Sequence, residues 1–150
     1  MNDIPSDLDG FDFCWSCCAL EHLGSLDAGI HFVERSLETL RPGGWAVHTT
    51  EFNLSSDAAT IEGGPTVLYR QCDLKRLVEN LQSYGNQIAQ LDLTPGDQTL
   101  DGFVDLPPYE LWEPHLKLAI ESYTCTSVAI IIQKATRFDL IRTAFSEMRP

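Results

Sequence analysis

The chain has 150 residues, of which 43% are hydrophobic, and this is enough for one domain with a buried core. Its formal net charge of −12 argues against nucleic acid or an anionic membrane as a direct partner. No stretch has the roughly 18 to 20 apolar residues of a membrane-spanning helix, the acidic N-terminus does not resemble a signal peptide, and five cysteines do not form a secreted disulfide framework, so we expect a cytoplasmic protein.

The first third of the chain predicts a β-α-β unit over residues 11–53, after a polar turn at residues 1–10. Phe11–Cys18 is an almost continuous apolar run, which is typical of a strand buried on both faces in a parallel sheet. Pro42-Gly43-Gly44 is predicted to end the following helix, and Trp45–Thr50 is predicted as the second strand. The helix starts at a cap formed by Ser25 or Asp27 and has one apolar stripe, made of Leu26, Ile30, Val33, Leu37 and Leu40.

The remainder of the chain predicts further strands and helices joined by long connections. Residues 54–65 are polar and glycine-rich and indicate a loop or lid, whereas residues 95–114 contain several prolines and indicate an irregular insertion. The other predicted elements are a short strand at Val67–Tyr69, a helix over Leu74–Tyr84 capped by Asp73, strands at Gln87–Thr94 and Cys125–Gln133, a short helix at His115–Tyr123 and a final helix around Phe138–Phe145.

The chain lacks the glycine-rich turn with which doubly wound α/β domains bind their cofactors. Such a turn follows the first strand of the domain. Neither a GxGxxG nor a GxGxG pattern occurs here, and only ten residues precede the first predicted strand. The sequence therefore predicts the back half of a cofactor-binding α/β domain.

Two motifs at a fixed spacing resemble a known family. FDFCWSCCALEHLG at residues 11–24 and LETLRPGGWAVHTTEFN at residues 37–53 resemble the fourth and fifth strands, with their adjoining loop and helix, of class I S-adenosylmethionine-dependent methyltransferases. The similarity is to small-molecule members of the type 11 and type 23 kind, and only the C-terminal part of that domain is matched.

The resemblance implies a Rossmann-like, doubly wound α/β sheet with the strand order 3-2-1-4-5-7-6, of which this chain would hold strands four to seven. We expect a single partial methyltransferase domain over residues 1–150, made of the N-terminal turn (1–10), the central β-α-β unit (11–53) and a C-terminal sheet half (54–150) that includes the 95–114 insertion. The implied cofactor of the complete domain is S-adenosylmethionine. A gene fragment or a misplaced start codon is the simplest explanation of the missing half.

The loop after the first strand supplies the candidate catalytic and cofactor-binding residues, because ligands of doubly wound domains gather outside the carboxyl ends of the strands. His22 is the candidate general base, with Glu21 as its partner, since a histidine side chain ordinarily titrates near neutrality. The alternative is that His22 only orients the loop. Trp15, Ser16 and Cys17 are the candidate cofactor contacts.

The end of the second strand supplies the candidate substrate contacts. His48, Thr50, Glu51 and Asn53 are polar residues at the end of an otherwise apolar strand, so they either line a site or form a turn. The segment from Asp105 to His115 resembles a substrate-covering insertion, and the alternative is a rigid surface loop.

The cysteines raise the question of a metal. Cys14, Cys17, Cys18 and His22 are close in sequence, but structural zinc usually takes four ligands in two separated pairs, and no second CxxC exists. The Glu21–His22 pair resembles relatives that hold a divalent cation, yet Cys18 stands where a further carboxylate would help. We therefore predict no metal and expect the cysteines to act as small hydrophobic residues.

The predicted function is that of an S-adenosylmethionine-dependent methyltransferase fragment acting on a small polar molecule such as a sugar or a metabolite. The alternative is a non-catalytic fragment or interaction module that cannot bind the cofactor alone. The isolated chain is expected to be inactive. Strand 11–18 lacks the neighbouring strand that the family places beside it, so self-association through its free edge is also predicted.

Overall fold

The computed structural model describes residues 3–109, 112 and 115–136, so the helix predicted around Phe138–Phe145 lies outside the described residues. The principal elements are β1 (Phe11–Ser16), α1 (Leu26–Glu38), β2 (Leu40–Asn53), α2 (Gln71–Ser83), β3 (Gln87–Ile88), β4 (Lys117–Ile120) and β5 (Tyr123–Gln133), with single 3-10 turns at Leu20–His22 and Thr99–Gly102.

The strands form one mixed sheet in the order β1-β2-β5-β3, and β4 pairs with another part of β5. β1 and β2 are parallel, and β5 runs antiparallel to β2, β3 and β4. β2 is the longest strand and lies between β1 and β5, so the β-α-β unit occupies one side of the sheet.

The β-α-β unit forms for the reasons that its sequence indicates. The Ser25 hydroxyl accepts a hydrogen bond from the Ala28 N–H and caps α1. The Pro-Gly-Gly segment makes an irregularity within β2 instead of a separate turn, because Phe11 pairs with Leu40 whereas Phe13 pairs with Trp45. Gly43 adopts a φ of +79°, a conformation that favours glycine.

Helix α2 begins with a reciprocal cap. The Asp73 carboxylate lies in the first turn and accepts hydrogen bonds from the Arg70 N–H and from the Arg70 guanidinium. Asp73 therefore does cap this helix, but from its third position and not from the residue before it.

Three predictions for the second half need correction. The segment predicted as a helix at His115–Tyr123 is a hairpin, in which β4 turns at Glu121 (φ +53°) directly into β5. Pairing with the strongly β-forming segment of β5 outweighs the weak helical pattern of KLAIESY. The strand predicted at Gln87–Thr94 is limited to Gln87–Ile88, and Val67–Tyr69 forms only a single bridge between Tyr69 and Phe52.

The core lies between the two helices and one face of the sheet. Most of its buried members come from α1, α2, β2 and β5, and they include Val33, Leu77, Ala46, Ile130 and Ile132. The prediction that β1 is buried on both faces is wrong, because the side chains of Phe11, Phe13 and Trp15 are exposed. In the described part of the chain both helices cover the same face of the sheet. No helix there is long and apolar enough to cross a membrane.

Candidate functional site

The candidate site lies where β1 ends and β2 approaches its end. The Cys18 N–H donates to both the carbonyl and the hydroxyl oxygen of Thr49, at 3.1 and 3.0 Å, and this fixes the loop after β1 against β2. Cys18 itself adopts a φ of +44°, a strained conformation for a side-chain-bearing residue. The predicted meeting of these two strand ends is therefore present.

Glu21 is the buried acidic residue of the site. Its side chain is 1% exposed, and one carboxylate oxygen accepts a 2.9 Å hydrogen bond from the Thr50 hydroxyl. Burial raises the pKa of Glu21, and the charge of Glu51 raises it further, while hydrogen bonds from its own backbone N–H and from Thr50 oppose the shift. A buried carboxylate with these two hydrogen bonds and no cation of the described residues in contact costs stability, which is typical of a functional group.

His22 is oriented by the loop that follows β2. Its Nδ1 lies 2.8 Å from the Pro65 carbonyl oxygen, which can only accept, so Nδ1 carries the proton in the neutral ring. Nε2 then keeps its lone pair, and it lies 4.0 Å from the nearer oxygen of Glu21. The side chain is 56% exposed, so an acceptor molecule can reach it. The Pro65 carbonyl thus sets the tautomer of His22 and leaves the lone pair of Nε2 unused on a side chain that solvent reaches.

Three potential metal ligands also converge here. The Cys18 thiol and the carboxylates of Glu21 and Glu51 have donor atoms within 4.8 Å of one another. Burial is the main cause that raises the pKa of the Cys18 thiol, which disfavours the thiolate that a metal or a nucleophilic reaction would need. The donor set is smaller than the four ligands of a structural zinc site, and the absence of a metal stays a prediction.

Ser16 and His48 form a hydrogen-bonded chain that leads away from the site into the core. The Ser16 hydroxyl lies 2.8 Å from His48 Nδ1, and His48 Nε2 lies 3.0 Å from the Ser36 hydroxyl of α1. The Ser36 hydroxyl donates to the Val33 carbonyl, so it accepts from Nε2–H, and Nδ1 accepts from Ser16. His48 is therefore a buried, neutral histidine, and burial lowers its pKa to about 4.

The structure places three of the four predicted substrate contacts inside the protein. His48 and Thr50 are 1% and 0% exposed and contact Ser36 and Glu21, whereas Glu51 lies on the other face, at the site. Asn53 is buried and organises the following loop, since its side chain bonds Ala59, Thr60 and the N–H groups of residues 55 and 56. The reason is that β2 continues to Asn53, so residues 48–50 lie within a strand and alternate between faces.

The predicted cofactor contacts are also divided between faces. Ser16 points towards the helices, and Trp15 lies on the uncovered face with 69% of its surface exposed. Cys17 is exposed beside the site. His48 and Thr50 are hydrogen-bonded to Ser16 and Glu21, and the substrate contact predicted for them stays a prediction.

Sequence reasoning missed two groups at the site. The Pro65 carbonyl orients His22, and the Ser127 hydroxyl donates to Glu51 at 3.3 Å and lies 3.7 Å from the Cys18 sulfur. Ser127 comes from β5, a strand far away in sequence, so no local pattern pointed to it. Pro65 is the last residue of the predicted lid (residues 54–65). The prediction of a lid was the one sequence signal that could have pointed to Pro65.

Asp105 lies at the edge of the sheet, beside β4. Asp105 exchanges backbone hydrogen bonds with Lys117 and Ala119 of β4, and its buried carboxylate pairs with the His115 ring at 2.9 Å. The substrate-covering role of the segment from Asp105 to His115 stays a prediction. A groove of about 500 Å³, lined partly by Glu38, Tyr84 and Lys134, lies at the other end of β2 from Glu21.

We expect Glu21→Gln to stabilise the protein at pH 7. Glutamine keeps an acceptor for the Thr50 hydroxyl and removes the buried charge, so the free energy of unfolding should rise by about 1 kcal/mol, and the melting temperature by about 2 to 4 °C. The gain should shrink at low pH, where Glu21 with its raised pKa becomes neutral in the folded protein. Calorimetry at pH 7 and pH 4 measures this, with exposed Glu79→Gln as the control. A lower melting temperature for Glu21→Gln would mean that the charge is structural.

Comparison with known proteins places the fold. No family model matches the sequence, and no curated protein matches it. Among solved structures, the chain is similar to a SAM-dependent methyltransferase from Methanosarcina mazei, with a TM-score of 0.52 and 13% identity over 91% of this chain. The chain spans 65% of that protein's chain. At this identity, the likeness shows a methyltransferase-like α/β fold.

Proposed function

We propose that this chain is the C-terminal part of an S-adenosylmethionine-dependent methyltransferase that acts on a small polar molecule. The observation that carries the proposal is the strand order. The sheet order β1-β2-β5-β3 is the order expected for strands four, five, seven and six of such a domain. The likeness to the methyltransferase from Methanosarcina mazei supports the same assignment.

The residues present do not fit a complete S-adenosylmethionine site. Among the described residues, Ser16 is hydrogen-bonded to His48 and Trp15 faces the uncovered side of the sheet, so of the predicted cofactor contacts Cys17 is the one beside the site. The sequence contains no glycine-rich turn to approach the cofactor backbone. In a complete domain the cofactor would supply the methyl group, and the loop after β1 and the end of β2 would form the wall that faces the acceptor.

The role of the residues around His22 is to accept the proton that the methyl acceptor loses. A hydroxyl or amine acceptor must lose a proton when it is methylated, and His22 Nε2 has the lone pair and the exposure to take it. The Glu21 carboxylate, 4.0 Å away, stabilises the resulting imidazolium. Thr50 holds Glu21 in place, and the Pro65 carbonyl fixes the ring of His22.

The chemistry of the site favours an acceptor with hydrogen-bond donors. Glu21, Glu51 and the hydroxyls of Thr49 and Ser127 offer acceptor oxygens around Cys18. A sugar hydroxyl or an amine can donate to these oxygens, whereas a carboxylate substrate would be repelled by the two glutamates. We therefore favour a hydroxyl or amine acceptor.

The experiment that tests the proposal begins with the DNA immediately upstream. If the chain derives from a methyltransferase, an in-frame extension should encode a strand followed by a GxGxG turn. The extended protein should transfer labelled methyl groups from S-adenosylmethionine to members of a panel of sugars and amines. An extension without such a turn, or an extended protein that transfers no methyl group, would contradict the methyltransferase proposal. The interaction module would then be the remaining function.

We also expect the 150-residue chain alone to bind S-adenosylmethionine weakly or not at all. Each missing charged hydrogen bond removes about 1.5 to 3 kcal/mol, and the glycine-rich turn and the ribose carboxylate would supply several such bonds. Titration calorimetry should show no micromolar binding by the isolated chain. Micromolar affinity would mean that the described residues hold the cofactor by themselves.

The exposed aromatic side chains of the sheet support an interaction module as a second candidate function. The sheet exposes several aromatic side chains on the face that neither helix covers, and large exposed apolar patches mark interaction sites.

A further inference from the structure

One face of the sheet is apolar and uncovered by the two helices. Alternate residues of β1 place Phe11, Phe13 and Trp15 on this face, because Cys14 and Ser16 between them bond towards α1 and His48. The strand register adds the paired neighbours, since Phe13 pairs with Trp45, Trp15 with Val47 and Val47 with Ile131. The apolar face is defined by its seven members, Phe11, Phe13, Trp15, Trp45, Val47, Ala129 and Ile131.

The apolar face is large enough to matter energetically. Phe11, Phe13, Trp15 and Trp45 are 48%, 52%, 69% and 44% exposed. With about 150 to 250 Å² for a whole aromatic side chain, these four expose roughly 400 Å². Two such faces pressed together would bury about 800 Å² from aromatic side chains alone, a large part of the roughly 1,200 to 2,000 Å² of a specific interface.

We propose that a second copy of this chain packs against the apolar face, sheet against sheet, about a two-fold axis. The face has the composition of an interface core, with aromatic residues and no charged member. A two-fold axis uses one self-complementary patch twice and closes at a dimer.

Packing through the face differs from the edge pairing predicted for strand 11–18. Pairing of two β1 edges would satisfy the backbone of that strand but would leave Trp45 and Ile131 exposed. Ile131 lies on β5, two strands in from the edge, at about 10 Å. A change at Ile131 therefore weakens face packing and leaves edge pairing intact.

Sedimentation velocity of the full 150-residue chain tests the proposal. We expect a dimer at about 10 to 100 µM, and association should strengthen as salt screens the net charge of −12. Ile131→Glu and, as a second variant, Ala129→Glu should weaken dimerisation at least 10-fold with unchanged circular dichroism. Leu106→Glu adds the same charge at an exposed leucine outside the face and should remain dimeric.

Three results would overturn the proposal. If the wild-type chain is a monomer throughout this concentration range, something other than a second copy covers the face, or nothing does. If Ile131→Glu and Ala129→Glu both remain folded dimers, the contact lies elsewhere, with the free edge of β1 as the first alternative. Open-ended aggregation in place of a closed dimer would likewise exclude a two-fold contact.

Discussion

Replacing His22 with alanine should lower the rate of methyl transfer by the extended protein at least 100-fold. A positioned general base contributes about 100- to 10,000-fold, and His22 Nε2 is the exposed basic nitrogen beside Glu21. The melting temperature should change little, because more than half of the side chain is in solvent and its one short contact is with Pro65. Initial rates with saturating S-adenosylmethionine measure the effect.

A second histidine provides the control for this variant. His31 lies on α1, is exposed to a similar extent and pairs with a glutamate, so His31→Ala changes the same chemistry away from the site. If His22 only orients the loop at Pro65, stability and cofactor affinity should fall together in His22→Ala. Normal turnover with normal melting would dismiss both roles.

The β-α-β unit could be predicted from sequence because each of its signals is local. An apolar stripe at helical spacing, a serine cap and a run of alternating or continuous apolar residues each act within a few residues. The strands at Phe11 and Cys125 and the helix over Leu74 lie where these patterns place them. The family resemblance added the strand order, which no local pattern contains.

Features that depend on distant pairing could not be predicted. The hairpin of β4 and β5 replaced a helix because β5 provides hydrogen-bond partners that a local pattern does not show. The predicted strand ended at Thr50, whereas β2 continues to Asn53. The prediction therefore did not show that the side chains of residues 48–53 alternate between the two faces of the sheet, and it took His48 and Asn53 as residues of the site. His22 could be singled out from sequence as a candidate base, but the carbonyl of Pro65 that orients it belongs to a loop whose path the sequence leaves open.

Glu21 and His48 are both buried polar residues of the β-α-β unit, but they lie in different surroundings. Glu21 is buried at the site with a raised pKa, whereas His48 is buried in the core, where both ring nitrogens have hydroxyl partners. A buried neutral histidine ties β1, β2 and α1 together through Ser16 and Ser36. Its protonation must therefore weaken the packing that holds the site in place.

We expect the protein to lose stability as the pH falls from 7.5 to 5, chiefly through His48. An unfolded histidine has a pKa of about 6.5, and burial lowers the pKa of folded His48 to about 4. Between these values the unfolded chain binds more protons, so stability falls with falling pH, by about 2 kcal/mol at pH 5. Glu21, with its raised pKa, acts in the opposite direction, because its burial cost disappears as it is protonated.

Urea unfolding of the wild type and of His48→Gln at several pH values isolates this contribution. For each protein we compare the free energy of unfolding at pH 7.5 with that at pH 5. The wild type should lose about 2 kcal/mol more than His48→Gln, because the titrating groups that both proteins share cancel in the comparison. If the wild type and His48→Gln lose the same free energy of unfolding over this pH range, His48 is protonated in the folded protein. The hydrogen bonds that link Ser16, His48 and Ser36 would then differ from those that the geometry implies.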